Sequence, residues 1–303
     1  MTDTLLLQKL RHALLDAKLP FELLGAVVFG SRVKGRATQE SDMDLLVVAN
    51  GIHPKRHRRG EQIALIKRNL PPRPYDILLF TESEVIANFQ NHNPLFLDIA
   101  EEGQLLFDYN GQLQVLMKQT KEYIREKGVQ KLQDGWAFPV QPGVPTPLSK
   151  VSNQDFAVAM QEDGKRDFIV GKKLLEDGMY DKAVYHFQQA VEKHIKSILI
   201  AIGVFKKTHF VGDVLREYVQ EEKFPKRWQD ELLEAAEISE SVEPDVSLSR
   251  YPGMIDDRLW LPYEEYKVED ATQAMKKAER VQEIARSFTT EWFSETQGRA
   301  ETT

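Results

Sequence analysis

Ala26-Val27-Val28-Phe29-Gly30-Ser31-Arg32-Val33-Lys34-Gly35, followed at once by Ser41-Asp42-Met43-Asp44-Leu45-Leu46-Val47-Val48, is the stretch on which the fold turns. It reads as a strand, a small-residue turn, a polar segment and a second strand that opens on two acids. Residues i and i+2 of a strand share a face, so Asp42 and Asp44 are expected to point the same way. Neighbouring carboxylates repel unless a cation lies between them, and hard divalent ions take such oxygen ligands. A Gly-Ser turn offers backbone N–H groups and a hydroxyl to an anion. Metal plus triphosphate is the reading, and phosphoryl or nucleotidyl transfer is the chemistry that uses both.

Working outward, Leu5, Leu6, Leu7, Leu10, Leu14 and Leu15 recur at helical spacing ahead of the first strand. A polar helix with Ile63, Leu65, Ile66 and Leu70 leads to a third apolar run, Ile77 to Phe80. Strand, crossover helix and strand predict a mixed sheet flanked by helices. Further helices are expected over 83–90, 94–102 and 113–126. The prolines at 139, 142, 145 and 147 rule out a helix there and mark a boundary. Beyond it the pattern is helical: Ala183, Val184, Phe187, Ala190, Val191, Ile195, Ile198 and Ile202 form one stripe that ends at Gly203, and Ala271, Ala274, Ala278, Val281, Ile284 and Phe288 form another. The expected class is α+β, a mixed-sheet domain followed by an all-α bundle. The divisions are 1–134 for the first domain, 135–150 for a Pro-rich linker, 151–295 for the bundle and 296–303 for a frayed tail.

Composition narrows the function classes. A chain of 303 residues has room for two domains. It has no cysteine, which excludes disulfides and thiolate metal sites and makes the cytoplasm the expected location. No apolar run approaches the length of a membrane span. The net charge of -7 argues against broad coating of nucleic acid. One basic cluster, Lys55-Arg56-His57-Arg58-Arg59, reads as a solvated loop, with contact to a polyanion such as RNA as the sharper alternative.

Gly30-Ser31, ten intervening residues and Asp42-x-Asp44 resemble the signature of the nucleotidyltransferase superfamily that includes DNA polymerase beta, closest to its minimal and kanamycin-nucleotidyltransferase-like branch. The resemblance implies a third carboxylate on a later strand, and Asp76 in Pro74-Tyr75-Asp76-Ile77 supplies it. It implies Asp42, Asp44 and Asp76 as catalytic residues and ligands of two Mg²⁺ ions, with Asp76 suited to take a proton from the acceptor. Gly30, Ser31, Arg32 and Lys34 become nucleotide-binding residues, and a nucleoside triphosphate, foremost ATP, becomes the co-substrate.

The second half resembles HEPN domains through Asp177-Gly178-Met179-Tyr180-Asp181-Lys182-Ala183-Val184-Tyr185-His186-Phe187, through Ser249-Arg250-Tyr251-Pro252 and through Pro262-Tyr263…Glu269-Asp270-Ala271. The Arg, four to six residues, His pattern of ribonuclease members is missing, so RNA cleavage is not expected. Tyr185, His186, Trp260 and Tyr263 read as core or rim positions. The two resemblances imply transfer of a nucleoside monophosphate to an acceptor hydroxyl, with a homodimer through the helical domain as a further implication. The acceptor stays open between a small molecule such as an aminoglycoside, a protein and RNA. Glu101, Glu102, Glu162, Asp163, Glu264 and Glu265 are the acids that would face a cationic acceptor. The rival reading is a non-catalytic nucleotide-binding or antitoxin-like regulator.

Overall fold

The computed structural model describes residues 3–30, 42–148, 150–221 and 223–294. Two compact units divide at Val129/Gln130. The first runs α1 (Asp3–Leu15), β1 (Glu22–Phe29), β2 (Met43–Asn50), α2 (Gly60–Asn69), β3 (Tyr75–Phe80), α3 (Glu82–Gln90), α4 (Pro94–Glu102), β4 (Gln104–Asp108) and α5 (Gln112–Lys127). The sheet order is β3-β2-β1-β4. β2 pairs parallel to β3 and antiparallel to β1, and β4 is antiparallel to β1, so the sheet is mixed as expected.

Alternation along the strands sorts the core into two faces. Met43, Leu45, Val47, Tyr75, Ile77 and Leu79 pack with α1 and α2 residues such as Leu10, Leu14 and Ile66. Leu46, Val48 and Phe80 pack on the other face with Val85, Phe89, Phe96 and Leu116 from α3, α4 and α5. Local chemistry sets the helix limits. Thr81 and Glu84 form a capping box at α3, Asn93 caps α4 with Pro94 in its first turn, and left-handed Gly128 ends α5.

The second unit comprises β5 (Gln130–Leu132), β6 (Gly135–Ala137), α6 (Asn153–Glu176), α7 (Tyr180–Ala201), β7 (Val204–Lys206), α8 (Val211–Gln220), α9 (Gln229–Val242), α10 (Asp245–Leu248), β8 (Gly253–Ile255), β9 (Arg258–Trp260), α11 (Pro262–Glu265) and α12 (Val268–Ser294). Its core is the predicted α7 stripe met by Ala274, Ala278, Val281, Ile284 and Phe288 of α12. A capping box of Ser152 and Asp155 starts α6.

Three findings differ from expectation. The Pro-rich segment is not a free linker. β6 lies within it and joins β5 and β7 in a small sheet, Trp136 is fully buried, and Phe138 and Leu148 are buried beside it. Proline forbids a helix but suits an extended strap, and the apolar side chains between the prolines fasten it. Short strands β7, β8 and β9 interrupt a half that read as purely helical, and β4 and α6 had no clear sequence signal. The expected tail at 296–303 lies outside the described residues.

Candidate functional site

Strand register assembles the acids. Phe29 at the end of β1 pairs with Asp44 of β2, and Asp44 pairs with Asp76 of β3. Parallel strands in register place partner side chains on one face, about 4.8 Å apart along the hydrogen-bonding direction. Asp44 is half-buried and Asp76 is exposed. Two carboxylates ~5 Å apart repel by roughly 1–3 kcal/mol at effective dielectrics between that of water and that of a protein surface. Asp42 immediately precedes β2 rather than lying within it, and is exposed.

Gly30 closes the arrangement. Its φ is +85°, a conformation that favours glycine. A Cβ built there would lie 1.8 Å from Asp44 Oδ2, so the Asp44 carboxylate occupies the space a larger residue would need. The backbone after β1 therefore comes directly against one of the two acids. Ser31, Arg32 and Lys34 lie outside the described residues.

This donor set suits a hard divalent ion. Mg²⁺ is commonly held by one or two carboxylates together with substrate phosphates rather than by an all-protein cage. The Asp44–Asp76 pair matches that demand. Among the described residues, no group of three or more His, Cys, Asp and Glu is gathered as a metal site. The acids that register sets side by side at this end of the sheet are Asp44 and Asp76, with Asp42 just ahead of β2.

The far end of the same strands has a different chemistry. Arg59 was expected in a solvated loop and is instead fully buried. Its Nε donates to the His53 carbonyl at 2.7 Å, Nη1 to the Leu79 carbonyl at 2.9 Å and Glu84 Oε2 at 2.6 Å, and Nη2 to the Pro54 carbonyl at 3.1 Å and Glu84 Oε1 at 2.9 Å. Every N–H of the guanidinium is used. Burial pushes the Glu84 carboxyl up, but the bonds from Arg59 and the Thr81 backbone outweigh it and hold it below the usual range. Arg56 lies over the Phe80 ring at 4.2 Å. Of the five clustered residues, Arg59 thus serves the fold rather than a polyanion.

In the helical unit, Tyr185 and His186 are rim residues with protein partners. His186 Nδ1 is 2.9 Å from Asp167 Oδ1, and the Arg250 guanidinium lies 5.2 Å over the Tyr185 ring. Of the acids expected to face a cationic acceptor, Asp163 is paired with Lys193 and Glu265 with Arg258. Burial pushes the His194 imidazole down.

Comparison with known proteins follows this division. Residues 7–102 match the nucleotidyltransferase domain model and residues 158–288 the HEPN domain model. A candidate toxin of Methanocaldococcus jannaschii, MJ1304, is 36% identical over 141 residues, which is 46% of this chain and 93% of the relative. A nucleotidyltransferase-like protein from Exiguobacterium sibiricum aligns over 95% of this chain and 78% of its own, at 16% identity and a TM-score of 0.42. TT1696 from Thermus thermophilus aligns over 43% of this chain and 96% of its own, at 21% identity and a TM-score of 0.36. No helix among the described residues is long and apolar enough to cross a membrane.

Proposed function

Because this chain joins a nucleotidyltransferase domain to a HEPN domain and belongs to the family of its Methanocaldococcus jannaschii relative, we propose that it is a Mg²⁺-dependent nucleotidyltransferase. It takes a nucleoside triphosphate, foremost ATP, and moves the nucleoside monophosphate to an acceptor hydroxyl. The observation that carries this reading is the in-register Asp44–Asp76 pair, with the Asp44 carboxylate against Gly30. A pair of like charges costs stability unless a cation joins it, and the nucleotidyltransferase match names a chemistry that brings one.

Asp44 and Asp76, with Asp42, are the residues that would hold Mg²⁺. When bound, the ion offsets phosphate charge and polarises the transferring group. Gly30 and Ser31 bring backbone N–H groups to the triphosphate, and Arg32 or Lys34 supplies positive charge to it. Asp76 takes the acceptor's hydroxyl proton. The acceptor oxygen forms a bond to the α-phosphorus as the bond from that phosphorus to the bridging oxygen breaks, and pyrophosphate leaves. The acceptor is an aminoglycoside-like small molecule, a protein or RNA, and the location proposed is the cytoplasm.

The test is pyrophosphate release from each of the four ribonucleoside triphosphates with Mg²⁺, across aminoglycoside, RNA and protein acceptors, read together with intact mass. Wild type should release pyrophosphate and leave a nucleoside-monophosphate adduct. Asp44→Ala should lower the rate by about 10²–10³-fold, as removal of a preorganised charge-stabilising group does. The relative's description as a candidate toxin favours a second reading, a nucleotide-binding regulatory protein. Saturable binding of ATP with no turnover, unchanged by Asp76→Ala, would select it.

A further inference from the structure

The β8–β9 hairpin stands apart from the rest of the helical unit in how it is built. Its register pairs Gly253 with Trp260, Met254 with Leu259 and Ile255 with Arg258, and left-handed Asp256 with Asp257 makes the turn. A lone two-stranded hairpin is marginal in water, so something must fix its root. Trp260 does: its Nε1 donates to the Leu248 carbonyl at 2.9 Å, and its ring meets Tyr266 edge-on. Tyr266 in turn donates its hydroxyl to Asp245 Oδ1 at 2.6 Å.

Alternation then decides which side chains face inward. Trp260 lies on the anchored side. Met254 and Leu259, directly opposed, share the other face, where they are 77% and 62% exposed. Apolar residues placed to secure the hairpin would share the face of Trp260; these two are on the opposite one. Among the described residues each of these three-residue strands has one neighbour, so both outer edges keep backbone N–H and C=O groups open to pairing. A rigid root, an outward apolar pair and open edges together describe a receptor for an extended segment.

Charge selects the occupant. The turn carries Asp256 and Asp257, and Glu264 follows on α11, while Arg258 is already paired with Glu265. A cationic segment suits this turn better than a second copy of a chain whose own net charge is -7. We infer that the β8–β9 hairpin is a docking site for an extended partner-protein segment in which apolar residues alternate with lysine or arginine. The segment adds a strand to the hairpin edge, its apolar side chains cover Met254 and Leu259, and its cations meet the acidic turn.

The test uses the full chain and a fluorescein-labelled Lys-Val-Lys-Val-Lys-Val peptide, with the Glu-Val counterpart as control, read by anisotropy. The basic peptide should bind saturably and the acidic one should not. The double variant Met254→Ser/Leu259→Thr changes no charge and should weaken binding by about 10-fold or more, the effect of losing roughly 1.4 kcal/mol of apolar contact. Hydrogen exchange on wild-type protein gives an independent readout: amides of residues 253–260 should slow when the peptide is added. Equal binding by wild type and the double variant would overturn the inference, since generic attraction to an acidic protein would then account for it. Slowing confined to other residues would overturn it as well. So would a concentration-dependent dimer that the double variant abolishes, because the hairpin would then serve a second copy.

Discussion

The two ends of the β2–β3 pair pose opposite electrostatic problems. Beyond their C-terminal ends, a buried cation has every donor satisfied by the carbonyls of His53, Pro54 and Leu79 and by the Glu84 carboxylate. At their N-terminal ends, Asp44 and Asp76 bring like charges into register on one face. The first arrangement joins the segment after β2 to β3 and α3 and asks for nothing from solution. The second sets two carboxylates side by side, an arrangement that a cation between them would stabilise. Buried polar groups with every partner present mark places where the chain secures itself. A like-charge pair beside a glycine of positive φ is the place where we propose that an ion and a nucleotide bind.

The largest effect expected from breaking this contrast is at Arg59. Arg59→Met should cost about 3–5 kcal/mol in urea unfolding, the range for removing one partner of a buried pair, toward the lower end because Glu84 is 30% exposed and can rehydrate. A cost below about 1 kcal/mol would mean the clamp is ornamental, within the scatter of surface pairs. The acid limb sharpens the point. Glu84 has a lowered folded pKa, so its contribution is complete above its ordinary value of 4.5 and is lost as pH falls through the folded value. The Arg59→Met protein should show less of that acid-dependent loss.

What sequence could and could not reveal follows from the same physics. The Gly-Ser turn and the Asp-x-Asp acids stand beside apolar runs, so Gly30, Asp44 and Asp76 could each be named from sequence. Alternation, however, paired Asp42 with Asp44, and only sheet register sets Asp44 beside Asp76. α4 was legible to its end residues because Asn93-Pro94 starts it and Gly103 follows it. Arg59 was hidden because nothing in a run of five cationic or imidazole residues says which one turns inward; burial is a tertiary property. Trp136 and Phe138 were masked by the prolines around them, which signal a boundary whether or not the segment packs. The α6 helix was blurred by Val158, Ile169 and Val170, apolar residues that the fold leaves exposed and that spoil its amphipathic stripe.

A middle-sized effect is expected at Gly30. Alanine there must relieve both a φ of +85° and a 1.8 Å approach to Asp44 Oδ2. The strain of a left-handed non-glycine residue is about 1–2 kcal/mol, but the displaced carboxylate matters more. A shift of about 1 Å in a positioning group can cost on the order of 10²-fold in rate. Gly30→Ala should therefore lower pyrophosphate release by about that factor while the melting temperature falls only modestly. Equal losses in rate and in folded fraction would show that Gly30 supports the fold at large and not the acid pair.

The smallest effect is the most discriminating. If Asp44 and Asp76 repel as their register implies, Asp76→Asn should stabilise the metal-free protein by about 0.5–1 kcal/mol, because Asp76 is exposed and water screens much of the interaction. The gain should shrink as salt is raised. Adding Mg²⁺ should then narrow the gap between wild type and variant, since the ion stabilises the folded form that binds it in proportion to affinity. Thermal melts with and without Mg²⁺, at low and high ionic strength, give all of these comparisons. A destabilised Asp76→Asn protein, insensitive to both salt and Mg²⁺, would remove the contrast between the two strand ends. Both would then be structural polar sites, and the case for chemistry at the acidic end would rest on sequence pattern alone.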